Sequence, residues 1–198
     1  MRYQAENEWG WNGLACLSMI YEHFGIFISQ EALCNDMMLS KFFVSRNSQS
    51  PFGLMEHATR KANLHASIIM VSDVVETLNF VMEHNVKMIM LHKQRLGFEG
   101  SSTYTLFDKI ESGQVHGFDP FNEDLYPMSL DKLEDLWKSI TTWGLSNNLA
   151  ILISPDDNLL MKQIASCGHL FEQICIPPHM AEFILCPHCD KWKRNIFS

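Results

Sequence analysis

The stretch EWGWNGLACLSMIYEHFGI, Glu8 to Ile26, sets the reading of the whole chain. From Gly13 onward Leu14, Leu17, Met19, Ile20, Tyr21 and Phe24 recur at helical spacing, and Gly25 supplies a stop. The spacing predicts a first helix over Gly13–Phe24. Two more are predicted at Ser29–Met38, with Ser29 as cap, and from Pro51 or Phe52 to Ala62. The texture then changes. HASIIMV, VKMIML, STYTLF and QVHGFDP are short β-branched or apolar runs bounded by turn formers, and one helical segment, Val74–His84, separates the first two. ESGQ, Glu111–Gln114, has the chemistry of a hairpin turn. SLDKLEDLW restarts a helix capped by Ser129, and NLAILISP closes this unit at Pro155.

The 198 residues are 46% hydrophobic and 19% charged, enough to bury a core and too apolar for disorder. No apolar run approaches the roughly 20 residues needed to cross a bilayer, and Met1 leads into polar residues, so a soluble, cytoplasmic protein without membrane contact is expected. A formal charge of -8 argues against nucleic acid as a partner, because phosphate binding draws on Lys and Arg. Among the six cysteines, Cys16 and Cys34 lie in apolar helical contexts. The other four, Cys167, Cys175, Cys186 and Cys189, crowd the last quarter, a pattern that speaks for metal before disulfide.

Helices first and an antiparallel sheet after them make an α+β fold over residues 1–155, with a separate small module over 160–198. That layout is similar to the papain-like cysteine peptidases, and four pieces of sequence resemble one branch of them, the bacteriocin-processing peptidases. These cut leader peptides after a double glycine and often form the N-terminal domain of peptide-exporting ABC transporters. Gln4 ahead of NGLACLSMI resembles the family's Gln followed by Cys-Gly-x-Ala-Ala/Cys-Leu-Ala/Ser-Met. SPFGLMEHATRKANLHA is similar to its Gly-Leu segment running into a strand. GQVHGFDP resembles its Asp-Pro strand end, and the Leu-rich, Trp-bearing helix follows in the right order.

Such a site needs a thiolate at a helix N-terminus, a histidine base, an acid to orient it and a Gln in the oxyanion hole. The resemblance assigns the Gln to Gln4 and the acid to Asp119. The nucleophile position falls on Asn12, or on Gly10 if the papain-type spacing from Gln is kept, and the histidine position falls on Ser102 or Thr103. Neither sulfur nor imidazole stands where the mechanism needs it, so the resemblance implies a pseudoenzyme. Its cleft, with Gln4, Asn12 and Asp119, would bind a peptide or partner protein without cutting it. Asn12 by itself reads as a helix N-cap, and Asp119 as an acid receiving turn N–H groups before Pro120. Two alternatives stand beside this one: an active thiol peptidase with a displaced Cys16/His92 pair, and a structural subunit of a larger assembly.

The tail SCGHLFEQICIPPHMAEFILCPHCDKWKRN has the layout of a zinc ribbon. Two short strands, HLFEQICI and MAEFIL, would pair across a Pro-Pro turn. A Cys186-Pro-His-Cys189 knuckle and Cys167 with His169 would supply the four ligands of a structural Zn2+. Ile164 occupies the place of a leading cysteine in the first knuckle, and Cys175 and His188 are rivals to His169. KWKR, Lys191–Arg194, sets an aromatic between basic side chains, which could meet single-stranded bases but by default reads as a solvated stretch.

Overall fold

The computed structural model describes residues 1–40, 45, 50–93, 102–121, 126–138, 148–164, 170–177, 179–186 and 192–194. Helix α1, Asn12–His23, is the predicted first helix, and every residue from Gly13 to Tyr21 is buried. A helix apolar on nearly all sides cannot lie on a surface. It is covered on one side by α2, Gln30–Met37, and α3, Pro51–Arg60, and on the other by the sheet. Ser29 and Ser50 cap α2 and α3 by accepting from the N–H groups of Ala32 and Gly53.

The sheet is antiparallel. Its strands are β1 His65–Val71, β2 Lys87–Lys93, β3 Ser102–Glu111, β4 Gln114–Phe118, β5 Met128–Ser129, β6 Leu149–Ser154, β9 Ala181–Leu185 and β10 Trp192–Arg194, in the order β10-β9-β1-β6-β2-β3-β4-β5. Helices α4, Val74–Glu83, and α5, Leu130–Lys138, cover the face opposite α1. Successive strand residues point to opposite faces. Accordingly Ile68, Ile89, Leu91, Tyr104 and Leu106 pack with α1, while Ile69, Met88, Met90 and Phe107 pack with α4 and α5. With both faces covered, β6 is buried at every position, as its unbroken apolar run requires. The predicted hairpin forms between β3 and β4: Ser112 and Gly113 both take positive φ, which suits a type I′ turn, and Glu111 pairs with Gln114.

The tail pairs differently from the expected ribbon hairpin. Its first strand, β8, Leu170–Ile174, pairs with β7, Leu160–Ile164, in a two-stranded sheet. Its second, β9, adds to the main sheet beside β1, with Ile69 opposite Ile184. The apolar alternation of β9 finds a larger buried surface there than a lone hairpin offers, and Ala181 and Ile184 join the core shared with α4 and α5. Among the described residues no helix is long and apolar enough to cross a membrane.

Gly117 in β4 is a tight point of this sheet. A Cβ there would lie 2.6 Å from the Leu106 carbonyl oxygen and 3.0 Å from the Tyr126 ring. Because one obstacle is backbone, the strand must move. Gly117→Ala is expected to lower stability by about 1–3 kcal/mol, read by urea denaturation; an unchanged midpoint would show that β4 yields freely.

Candidate functional site

The start of α1 is where a papain-like site would stand. Asn12 is the first helical residue, and the N-cap position is Trp11, whose indole is buried and whose side chain makes no capping bond. The expected capping role of Asn12 is therefore corrected. Its Oδ1 instead accepts from the backbone N–H of Tyr104 at 3.3 Å, tying the helix to β3. Gly13 makes this approach feasible, since a Cβ there would meet the Tyr104 ring at 3.0 Å.

Gln4 lies elsewhere. Its side-chain amide donates to Glu22 Oε2 at 2.7 Å and its backbone N–H faces Met19 Sδ, both at the far end of α1 from Asn12. The residue that does reach the helix start is Glu6, which sequence reading missed. Its carboxylate faces the backbone N–H groups of Gly10, Trp11 and Asn12, and its backbone N–H donates to the Pro120 carbonyl at 3.2 Å. A usable signal existed: Glu6 precedes Asn12 by the same interval as Gln4 precedes Gly10. Burial raises the Glu6 pKa, the three N–H groups oppose that, and the charge of Asp119 raises it further; the net shift is upward. Its Oε2 is buried with no hydrogen-bond partner among the described residues.

Asp119 directly follows β4, is buried, and accepts from the Phe121 N–H at 2.9 Å, as the turn reading expects. Its charge is felt by Glu6, by Cys16 and by Tyr126. The structure thus brings Asn12, Glu6 and Asp119 to one end of α1 and leaves Gln4 out.

Sheet geometry also decides the displaced Cys16/His92 pair. Cys16 is fully buried among the α1-side core, and burial followed by the Asp119 charge pushes its thiol well up, away from thiolate. His92 in β2 lies directly opposite Thr103 in β3. Both share the alternation of Met88, Met90 and Phe107, which face α4 and α5. The thiol and the imidazole are on opposite faces of the sheet, so the pair does not form. Thr103 likewise faces away from Asn12, and its Oγ1 is buried without a hydrogen-bond partner among the described residues. Ser102 opens β3 opposite Lys93. Near these positions Thr105 Oγ1 lies 3.1 Å from the Tyr126 hydroxyl.

Of the expected zinc ligands, Cys186 directly follows β9 and is buried. Cys167, His169 and Cys189, with the rival His188, lie outside the described residues. Cys175, expected inside a strand, follows β8, and its N–H donates to the Leu159 carbonyl at 2.6 Å. It lines a groove of about 620 Å3 between α4 and the tail, and burial raises its thiol pKa.

No family model matches the chain, and no curated protein matches it in sequence. Solved structures do. The peptidase domain of Streptococcus ComA, a bifunctional ABC transporter involved in a quorum-sensing pathway, is similar over 78% of this chain and 100% of its own, with a TM-score of 0.56 and 17% identity. A C39-like peptidase from Bacillus anthracis is similar over 78% of this chain and 94% of its own, with a TM-score of 0.56 and 11% identity. At such identities the likeness is one of fold: an α+β chain folded as these peptidase domains are.

The Glu6 environment generates a pH prediction. Its carboxyl has a folded-state pKa above the ordinary 4.5, so the unfolded chain binds fewer protons than the folded one, and stability falls as pH rises past that value. Glu6→Gln keeps an acceptor for the N–H groups and removes the repulsion from Asp119. It is expected to be more stable than the parent at pH 7, with the gain shrinking on acidification and gone once both states of the parent are protonated, below about 4.5. Thermal melts across pH check this; a gain that persists at low pH would contradict it.

Proposed function

We propose that this chain is a peptidase-like domain without peptidase activity, which holds an extended peptide or the tail of a partner protein in the cleft at the start of α1. The observation that carries the reading is Asn12: a carboxamide, engaged by the Tyr104 N–H, stands where a thiolate would be needed. A carboxamide supplies no nucleophile near neutral pH. Electrostatics argue the same way. Negative charge developing on a carbonyl oxygen beside this helix start would meet the carboxyl groups of Glu6 and Asp119, whereas catalysis of acyl transfer needs donors aimed at that oxygen. Binding has no such requirement, because an extended segment is held by main-chain hydrogen bonds along a strand. In this reading Asn12 and Asp119 mark the binding end of the cleft, while Gln4, assigned there by resemblance, lies at the far end of α1 and takes no part.

A structural zinc ion belongs to the same proposal, held by Cys167, His169, Cys186 and Cys189. Cys186 adjoins β9, so a metal there would pin the strand that extends the main sheet.

The cleft reading is tested with unstructured peptides, double-glycine leader segments among them, following binding by fluorescence anisotropy and integrity by mass spectrometry. Binding without cleavage is expected, before and after iodoacetamide, and Asn12→Cys should stay inactive for want of a base. Cleavage by the parent protein that alkylation abolishes would overturn the reading. For the metal, protein purified without added zinc should carry it stoichiometrically by elemental analysis, and Cys186→Ser should lose it and melt earlier. Metal-free protein of unchanged stability would remove zinc from the account.

A further inference from the structure

We propose that the cavity between α2 and α3 is a binding site for a small zwitterion of the class of free α-amino acids. This site is separate from the cleft at the start of α1 and does not depend on how that cleft is read. The cavity has a volume of about 360 Å3, within the range of small-molecule sites, and its wall includes Asp36, Met37, Glu56, His57, Arg60 and Lys61.

At its inner wall three helices each contribute one member of a hydrogen-bonded chain. Tyr21 of α1 is fully buried and its hydroxyl lies 2.8 Å from His57 Nδ1; His57 Nε2 lies 3.4 Å from Asp36 Oδ2 of α2. Burial pushes the phenol pKa up, so Tyr21 keeps its proton and donates it to Nδ1. Burial pushes the His57 pKa down; the hydrogen bond and charge of Asp36 oppose this and the Lys61 charge adds to it, the net shift being downward, which favours the neutral ring with its N–H on Nε2 toward Asp36. At 3.4 Å that N–H is held by Asp36 at the long limit of a hydrogen bond. A tyrosine and a histidine buried as a polar chain are a costly way to join three helices that leucines would join as well. What they provide is a fixed orientation of Asp36 at the wall of a cavity.

Charge selects the ligand. Glu56 is already engaged, by Arg60 at 2.7 Å on one oxygen and by the Ser40 hydroxyl on the other. Asp36, its Oδ2 turned to His57 and its side chain 43% exposed, and Lys61 supply an acid and a base at the same cavity. A simple anion or a simple cation would meet one like charge there. A dipolar molecule meets neither: its ammonium is taken by Asp36, its carboxylate by Lys61, and its side chain lies on Met37.

The test is calorimetric titration of the full-length protein with the free L-amino acids, and with the N-acetyl and the carboxamide derivative of any that binds. At least one free amino acid should bind, and blocking either end should weaken it by about tenfold or more, the loss of one charge-assisted hydrogen bond. Asp36→Asn and Lys61→Ala, both changes at accessible side chains, should each weaken binding by a similar factor while far-ultraviolet circular dichroism stays unchanged. No binding by any free amino acid overturns the proposal, as does equal binding of the blocked derivatives or undiminished binding by both variants.

Discussion

The close contact of α1 with β3 is the constraint on which the rest of the structure depends. A helix buried from Gly13 to Tyr21 must find a surface that accepts it without a gap, and Gly13 against the Tyr104 ring, beside Asn12 bonded to the Tyr104 backbone, provides it. Core side chains at such density leave little freedom to slide. That contact fixes where the helix begins relative to the sheet, and with it where the backbone N–H groups of Gly10 to Asn12 point. In the same contact the Asn12 amide acts as a cross-link between layers, not as a cap at a helix terminus.

The sheet then sorts the polar residues into two sets that cannot cooperate. On the α1 side lie Cys16, Tyr104 and the Tyr21–His57 pair; on the other lie His92, Thr103 and Thr105. Sequence proximity says nothing of this, because neighbouring strand residues alternate between the two sets. The acids are concentrated instead. Glu6 and Asp119 converge at the positive end of α1, where the helix dipole favours negative charge and burial disfavours it; burial prevails at Glu6.

What was legible in the sequence was local. The caps at Ser29 and Ser129 and the Glu111–Gln114 turn depend on residues a few positions apart, and each stands where it was read. The layout of helices followed by antiparallel strands was legible for the same reason, and so was the fold it resembled. What escaped was set by partners far along the chain. Asn12 has the chemistry of a cap, but the Tyr104 N–H competes for its oxygen. Glu6 was hidden behind the more familiar Gln4. The Pro-Pro run of the tail looked like a hairpin turn, yet its flanking strands pair with β7 and β1, because a sheet edge already formed elsewhere offers β9 a deeper seat than its neighbour does. His57 and Asp36, unremarkable when read singly, meet only because α2 and α3 pack on α1.

The seating of β9 beside β1, reinforced by the Ile174 N–H donating to Ser67 Oγ across 107 residues of chain, has a consequence for biosynthesis. While the protein emerges from a ribosome, every helix of the body is delivered before the strand that completes this side of the sheet. Until then the main-chain groups along that flank of β1 have only water or a chaperone to satisfy them, and an unpaired strand is the usual template for self-association. The nascent chain is therefore most vulnerable between the synthesis of β1 and that of β9, and slowing of synthesis just ahead of β9 would prolong that exposure.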